Sequence, residues 1–112
     1  VKGWIAAWKP MRVAVFQSAI YVASLESARQ IAVFEVGGEA RQVQVLPNPA
    51  LSAISTSMKG VMAMQKAIEL GADAVIVTRM GSECERVARE RGVKVVIVKE
   101  GTKVSDALRG IH

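Results

Sequence analysis

One stretch narrows the fold more than any other, running from Gly71 to Arg91. It opens on Gly71-Ala72-Asp73, continues as Ala74-Val75-Ile76-Val77-Thr78, turns at Arg79-Met80-Gly81, and ends in the charged segment Ser82 to Arg91. The short apolar run is rich in β-branched residues and bounded by turn signals, which is the pattern of a buried strand. Ser82 followed by Glu85 is a capping-box pattern and predicts a helix start with Ser82 as its cap. Strand, tight turn and helix form half of a βαβ unit, and the turn between them is where a ligand of such a unit binds.

The remaining chain reads consistently with that half-unit. Arg12 to Gln17 is apolar almost throughout, as expected of a central strand covered on both faces. Ser18 to Ser27 reads as a loop. Arg29 to Val36 and Arg41 to Leu46 read as a hairpin, with Gly37-Gly38 supplying the turn. In the second hairpin strand Val43 and Val45 alternate with Gln42 and Gln44, which suits a half-exposed edge strand. Pro47-Asn48-Pro49 ends it, because proline gives no ladder donor. The serine-rich segment Ser52 to Ser57 is a loop or a helix start. A long helix then runs to about Leu70, with Ile54, Met58, Val61, Met62, Gln65 and Ile68 on its expected buried face, and Gly71 as its C-terminal cap. Its methionines read as core filler. After the helix ending near Gly92, Lys94 to Val98 is the last strand. Thr102 is the expected N-cap of a short final helix that buries Val104, Ala107, Leu108 and Ile111. The order β-β-β-α-β-α-β-α predicts a mixed five-stranded α/β sheet with the first strand beside Ala74–Thr78. A crevice between residues 17–24 and 78–82 then lies at the topological switch point.

Residues 1–10 do not match this pattern, and Lys9-Pro10 is a break before Met11. Either Met11 is a natural start and residues 1–10 are an N-terminal extension of a single domain over 11–112, or Trp4 and Trp8 share a helix face and cover the sheet or a neighbouring subunit.

Composition removes several function classes. The 112 residues hold one cysteine, Cys84, and one histidine, His112, so neither an intrachain disulfide nor a multi-histidine zinc site can form. No carboxylate pair or nucleophile–base pair is visible, and no catalytic residue is expected: the reading is a protein that is not an enzyme. The net charge of +5 is spread along the chain without a basic run or aromatic platform, so specific nucleic-acid binding is not expected. No run approaches the ~20 apolar residues of a membrane helix. A cytoplasmic protein is expected.

The crevice offers modest chemistry. Gly81 and Ser82 present backbone N–H groups at a helix start, and Arg79 lies just before them. The alternative is an ordinary capped helix with a surface arginine. Cys84 reads either as a small buried hydrophobe or as a thiolate whose pKa the helix start lowers.

From Met11 to about Ile111 the chain resembles the nitrogenase iron–molybdenum-cofactor accessory family. The resemblance rests on Met11-Arg12-Val13-Ala14-Val15, the hairpin, Asn48-Pro49, Gly71-Ala72-Asp73-Ala74-Val75-Ile76, Met80-Gly81, Gly92-Val93-Lys94-Val95, and Gly101-Thr102-Lys103-Val104-Ser105-Asp106-Ala107-Leu108. Where that family often carries His-Phe-Gly-Arg-Ala, this chain has Ser24-Leu25-Glu26-Ser27-Ala28, and its Gly-Pro is here Gly81-Ser82. The resemblance implies a ribonuclease-H-like three-layer fold. It also implies a non-enzymatic carrier of an iron–molybdenum cofactor or a related metal–sulfur cluster, in a site built from Ser18, Ser24, Arg79, Met80, Gly81, Ser82 and Cys84, with Cys84 as the one candidate metal ligand. Two further readings keep the fold. One is an interaction or assembly module, with protein partners or a homo-oligomer, that has lost the cofactor site. The other is a phosphate or nucleotide binder at the Gly81 turn.

Overall fold

The computed structural model describes residues 10–54 and 56–110. The readings made for residues 1–9, including Trp4 and Trp8, and for Ile111 lie outside the described residues.

Among the described residues six strands form one mixed sheet: β1 (Met11–Ser18), β2 (Tyr21–Val22), β3 (Gln30–Val36), β4 (Ala40–Pro47), β5 (Ala74–Val77) and β6 (Lys94–Ile97). Their order is β4-β3-β1-β5-β6, with β2 paired to the end of β1. β1 is antiparallel to β3 and parallel to β5, pairing Val13 with Ala74 and Val15 with Ile76. The strand predicted to be central is therefore central and lies beside β5, as expected. The sheet has six strands rather than five, because the predicted loop Ser18–Ser27 holds β2. Ala19 takes a positive φ of 55°, which turns the chain back so that Tyr21 pairs with Ser18.

Among the described residues three helices cover the sheet: α1 (Thr56–Glu69), α2 (Ser82–Glu90) and α3 (Val104–Arg109). A short 3-10 turn, Pro49–Ser52, precedes α1. Alternation along the strands divides the core in two. Ala14, Phe16, Val75 and Val77 face Ala63, Met64 and Ala67 of α1 and Cys84 and Ala88 of α2. Val13, Val15, Ala74 and Ile76 face Val104, Ala107 and Leu108 of α3. This explains why β1 and β5 are apolar at every core position: each residue has a helix on its own side.

Several local expectations change. α1 buries the predicted stripe only in part: Ile68 packs against the core, and Val61 and Met62 are half-buried. Ile54, just before α1, and Met58 and Gln65 within it are exposed, while Gly60, Ala63, Met64 and Ala67 are buried. Small residues let the helix approach the sheet and α2 closely, so van der Waals contact favours that face over the one with longer side chains. Ser82 is the first helical residue of α2 and Gly81 its N-cap, with no side-chain cap bond. Lys103, not Thr102, is the N-cap of α3; Thr102 Oγ1 instead donates to the Lys99 carbonyl at 2.6 Å. In β4 the valines are exposed along with the glutamines, and a register shift between Val33 and Phe34 interrupts the ladder there. Such a bulge breaks the simple two-residue alternation. Gly71 has φ +78°, and this left-handed step ends the run after α1 as expected of a glycine cap.

Candidate functional site

Where β5 ends and α2 begins, the turn Thr78–Gly81 meets the segment that follows β2. Backbone hydrogen bonds join the two. Thr78 N donates to Ala23 O at 3.0 Å, and Leu25 N donates to Arg79 O at 3.1 Å. β1 ties in as well, with Ala23 N donating to Phe16 O at 2.7 Å. Paired main chains fix the relative position of the two segments more firmly than side-chain contacts alone would.

Asn48 holds this region from below. Its side chain is buried, with 1% exposure, and fully satisfied. Nδ2 donates to the carbonyls of Leu25 and Ala28, both at 3.0 Å, and Oδ1 accepts from Ala50 N at 3.1 Å. The Asn48-Pro49 pair thus does more than stop β4. It pins the Ser24–Ala28 turn to the 3-10 turn before α1.

Between these segments opens a cavity of about 480 Å3. Ser24, Leu25, Glu26 and Ser27 line one side, Arg79, Met80 and Gly81 the other, with Lys59 contributed by α1. The Ser24 and Ser27 hydroxyls are hydrogen-bonded to each other, and Ser24 Oγ accepts from Ser27 N at 3.2 Å. Arg79 is 78% exposed and its nearest carboxylate, Glu100, is 3.9 Å away. An exposed pair at that distance contributes little, so the guanidinium is free to take another anion. Lys59 and Arg79 face one carboxylate, Glu26, and the lining carries an excess of positive charge.

Of the predicted site residues, Ser24, Arg79, Met80 and Gly81 line this cavity. Ser18 does not: its Oγ accepts from Arg29 N at 3.2 Å, closing the β1–β3 junction. Ser82 faces a separate shallow depression with Glu83 and Arg86. Cys84 is buried between α2 and α1 and is not part of the lining. Its sulfur lies 2.6 Å from the point a Cβ on Gly60 would occupy, so the glycine makes room for it. Burial pushes the thiol up from its ordinary value, and the nearby Glu26 and Glu83 carboxylates add to the effect. Burial at this position acts against a thiolate, and the sulfur lies away from the cavity lining. Among the described residues, no group of three or more His, Cys, Asp or Glu side chains is placed to hold a metal ion. Lys59 and Asn48 were outside the expected set. Lys59 lies on α1, whose orientation the hydrophobic spacing misassigns, and Asn48 acts through backbone carbonyls that no sequence motif displays.

The family model that matches this chain, described as dinitrogenase iron-molybdenum cofactor, covers residues 11–112. The chain belongs to that family. Among curated protein sequences none matches it. Among solved structures, the apo form of the orange protein from Desulfovibrio gigas is similar, with a TM-score of 0.72 and 21% identity over 89% of this chain and 85% of the other. A NifB-like protein of the DUF35 family from Thermotoga gives a TM-score of 0.66 and 20% identity, over 88% of this chain and 84% of the other. The protein PH0822 is similar at a TM-score of 0.67 and 18% identity, covering 88% and 86%. At these identities the likeness is one of fold. The family member described here is a mixed α/β protein, and no helix among its described residues is long and apolar enough to cross a membrane.

Proposed function

We propose that this protein is a small carrier without catalytic activity, which holds a preassembled, anionic metal–sulfur cofactor in the Ser24–Arg79 cavity. The observation that carries this reading is the lining itself: two cations, Lys59 and Arg79, beside two hydroxyls and a helix start, with no set of metal ligands among the described residues. A site of this kind supplies charge and hydrogen bonds, so its cargo must bring its own inner ligands. A metal–sulfur cluster with net negative charge does so, and the family's name points to the same chemistry. Gly81 lines the cavity as N-cap of α2, and its end of the helix favours negative charge. Met80 offers a polarizable apolar wall suited to sulfide. Within this reading the sheet is of the ribonuclease-H-like class, the protein works in the cytoplasm, and Cys84 supports the floor without binding metal.

The test is an anaerobic titration of the protein with isolated iron–molybdenum cofactor, followed by visible absorbance. Saturable binding in the wild type, weakened in both Lys59→Ala and Arg79→Ala, supports the proposal. No binding in the wild type, or binding indifferent to both substitutions, contradicts it.

A further inference from the structure

The cavity between the Ser24–Ala28 turn and the Thr78–Gly81 turn holds one side chain that works against its charge. Lys59 and Arg79 can only donate hydrogen bonds, Ser24 and Ser27 can donate or accept, and Glu26 can only accept. Attraction of an anion gains nothing from Glu26, because its carboxylate opposes the charge that the two cations draw in.

The position of Glu26 is fixed from both flanks. Leu25, just before it, is buried, and Leu25 N donates to Arg79 O at 3.1 Å. Asn48 Nδ2 donates to the carbonyls of Leu25 and Ala28, both at 3.0 Å. Glu26 Oε1 comes within 3.4 Å of the point that a Cβ on Gly60 would occupy, so the bare glycine leaves room for the carboxylate against α1. Glu26 makes no ion pair among the described residues, and the carboxylate nearest Arg79 is Glu100, at 3.9 Å. The hydroxyls of Ser24 and Ser27 are hydrogen-bonded to each other. Glu26 therefore presents its lone pairs to whatever enters the cavity.

The consequence differs between two kinds of anion. An anion without a proton offers Glu26 only lone pairs and a like charge. An anion that keeps a donor gives Glu26 a charge-assisted hydrogen bond, while its negative end meets Lys59 and Arg79. An unmatched charge placed in this way selects by rejecting the wrong ligand.

We infer that Glu26 makes the cavity selective for anions that bring a hydrogen-bond donor of their own, an O–H, an S–H or a metal-bound water, over fully deprotonated ones. This selectivity rests on the cavity being an anion site, as proposed, and adds the chemical class of anion that it takes.

Inorganic phosphate and sulfate are matched probes. Both are tetrahedral oxyanions of similar size, and at neutral pH every phosphate keeps at least one proton while sulfate keeps none. Binding of each is measured on the whole chain by calorimetry and by the rise in melting temperature, at constant ionic strength. The proteins compared are wild type, Glu26→Gln and the double variant Lys59→Ala/Arg79→Ala. Glu26 is exposed to solvent, so the glutamine does not disturb the core. Wild type is expected to bind phosphate about fivefold more tightly than sulfate, the scale of one exposed charge interaction. Glu26→Gln is expected to remove the preference, chiefly by gaining sulfate, because the amide nitrogen donates where the carboxylate cannot. The double variant is expected to weaken both anions. Equal binding of the two anions by wild type overturns the inference, and so does a preference for phosphate that survives Glu26→Gln. Absence of binding by wild type overturns it as well. If Glu26→Gln then binds both anions, the carboxylate is a general barrier and the anion site stands. If Glu26→Gln also binds neither, the anion reading of the cavity falls with it.

Discussion

At the scale of single residues, the contact between Gly60 and Cys84 decides how closely α1 and α2 approach. A methyl group on Gly60 would fall 2.6 Å from the sulfur, with Glu26 Oε1 at 3.4 Å and Leu25 Cδ2 at 3.8 Å. Alanine improves helix propensity by up to about 1 kcal/mol, but overpacking a tight interface costs about 1–3 kcal/mol. Gly60→Ala is therefore expected to lower stability in urea melts. The same change made in Cys84→Ala, where the sulfur is gone, is expected to be neutral or stabilising, and a double-mutant cycle measures the coupling. Asn48 makes the second prediction. Asn48→Ala leaves two carbonyls and one N–H buried without their partner, each worth about 1–3 kcal/mol of desolvation when unmet. It is expected to destabilise the protein by at least about 2 kcal/mol, measured by denaturant unfolding, and to weaken cofactor binding because the Ser24–Ser27 wall loses its anchor.

At the scale of elements, α1 shows both what the sequence makes legible and where it misleads. Its existence and its glycine stop at Gly71 are plain from periodicity and capping. Its buried face is not, because the spacing of long apolar side chains picks out Met58 and Met62, whereas the core receives Ala63, Met64 and Ala67, and Gly60 faces Cys84 of α2. Small residues carry little hydrophobic signal even when they make the closest contacts. Two truncations distinguish the faces: Met64→Ala is expected to cost about 2–5 kcal/mol, and Met58→Ala to stay within about 0.5 kcal/mol of wild type. The opposite end of the sheet is held by a polar clasp that the sequence does not announce. Arg12 Nη2 lies 3.0 Å from Glu35 Oε2, Arg41 Nη2 lies 3.2 Å from Glu35 Oε1, and Arg12 Nη1 donates to Leu70 O at 3.1 Å. Residues from β1, β3, β4 and the end of α1 meet only after folding, so no local pattern foretells them. Hydrogen bonds from Arg12 and then Arg41 hold the Glu35 carboxyl below its ordinary value of 4.5. A carboxylate with a lowered pKa stabilises the fold above its unfolded value, and that contribution disappears as pH falls through the lowered one. Glu35→Gln is expected to reduce stability at neutral pH and to match wild type in strong acid, as seen by unfolding at the two extremes.

At the scale of the whole molecule, the placement of the crevice follows from strand order. β1 and β5 are parallel neighbours, their C-terminal ends diverge into β2 and into the turn before α2, and the cavity opens between those connections. That much is legible in the chain, because a hairpin followed by βαβ leaves β1 in the middle. Which side chains enter the cavity is less so. Arg79, Ser24, Met80 and Gly81 follow from the turn itself, whereas Lys59 enters from α1 and Cys84 is removed by the packing of two helices. The result is a cationic pocket above a buried thiol, and the central claim is that charge holds the cargo and the thiol does not. The most direct measurement is the metal retained after anaerobic gel filtration with iron–molybdenum cofactor, compared among wild type, Cys84→Ala and the double variant Lys59→Ala/Arg79→Ala. Retention in wild type and Cys84→Ala, with loss in the double variant, is the result this account predicts. Loss in Cys84→Ala with retention in the double variant would contradict it.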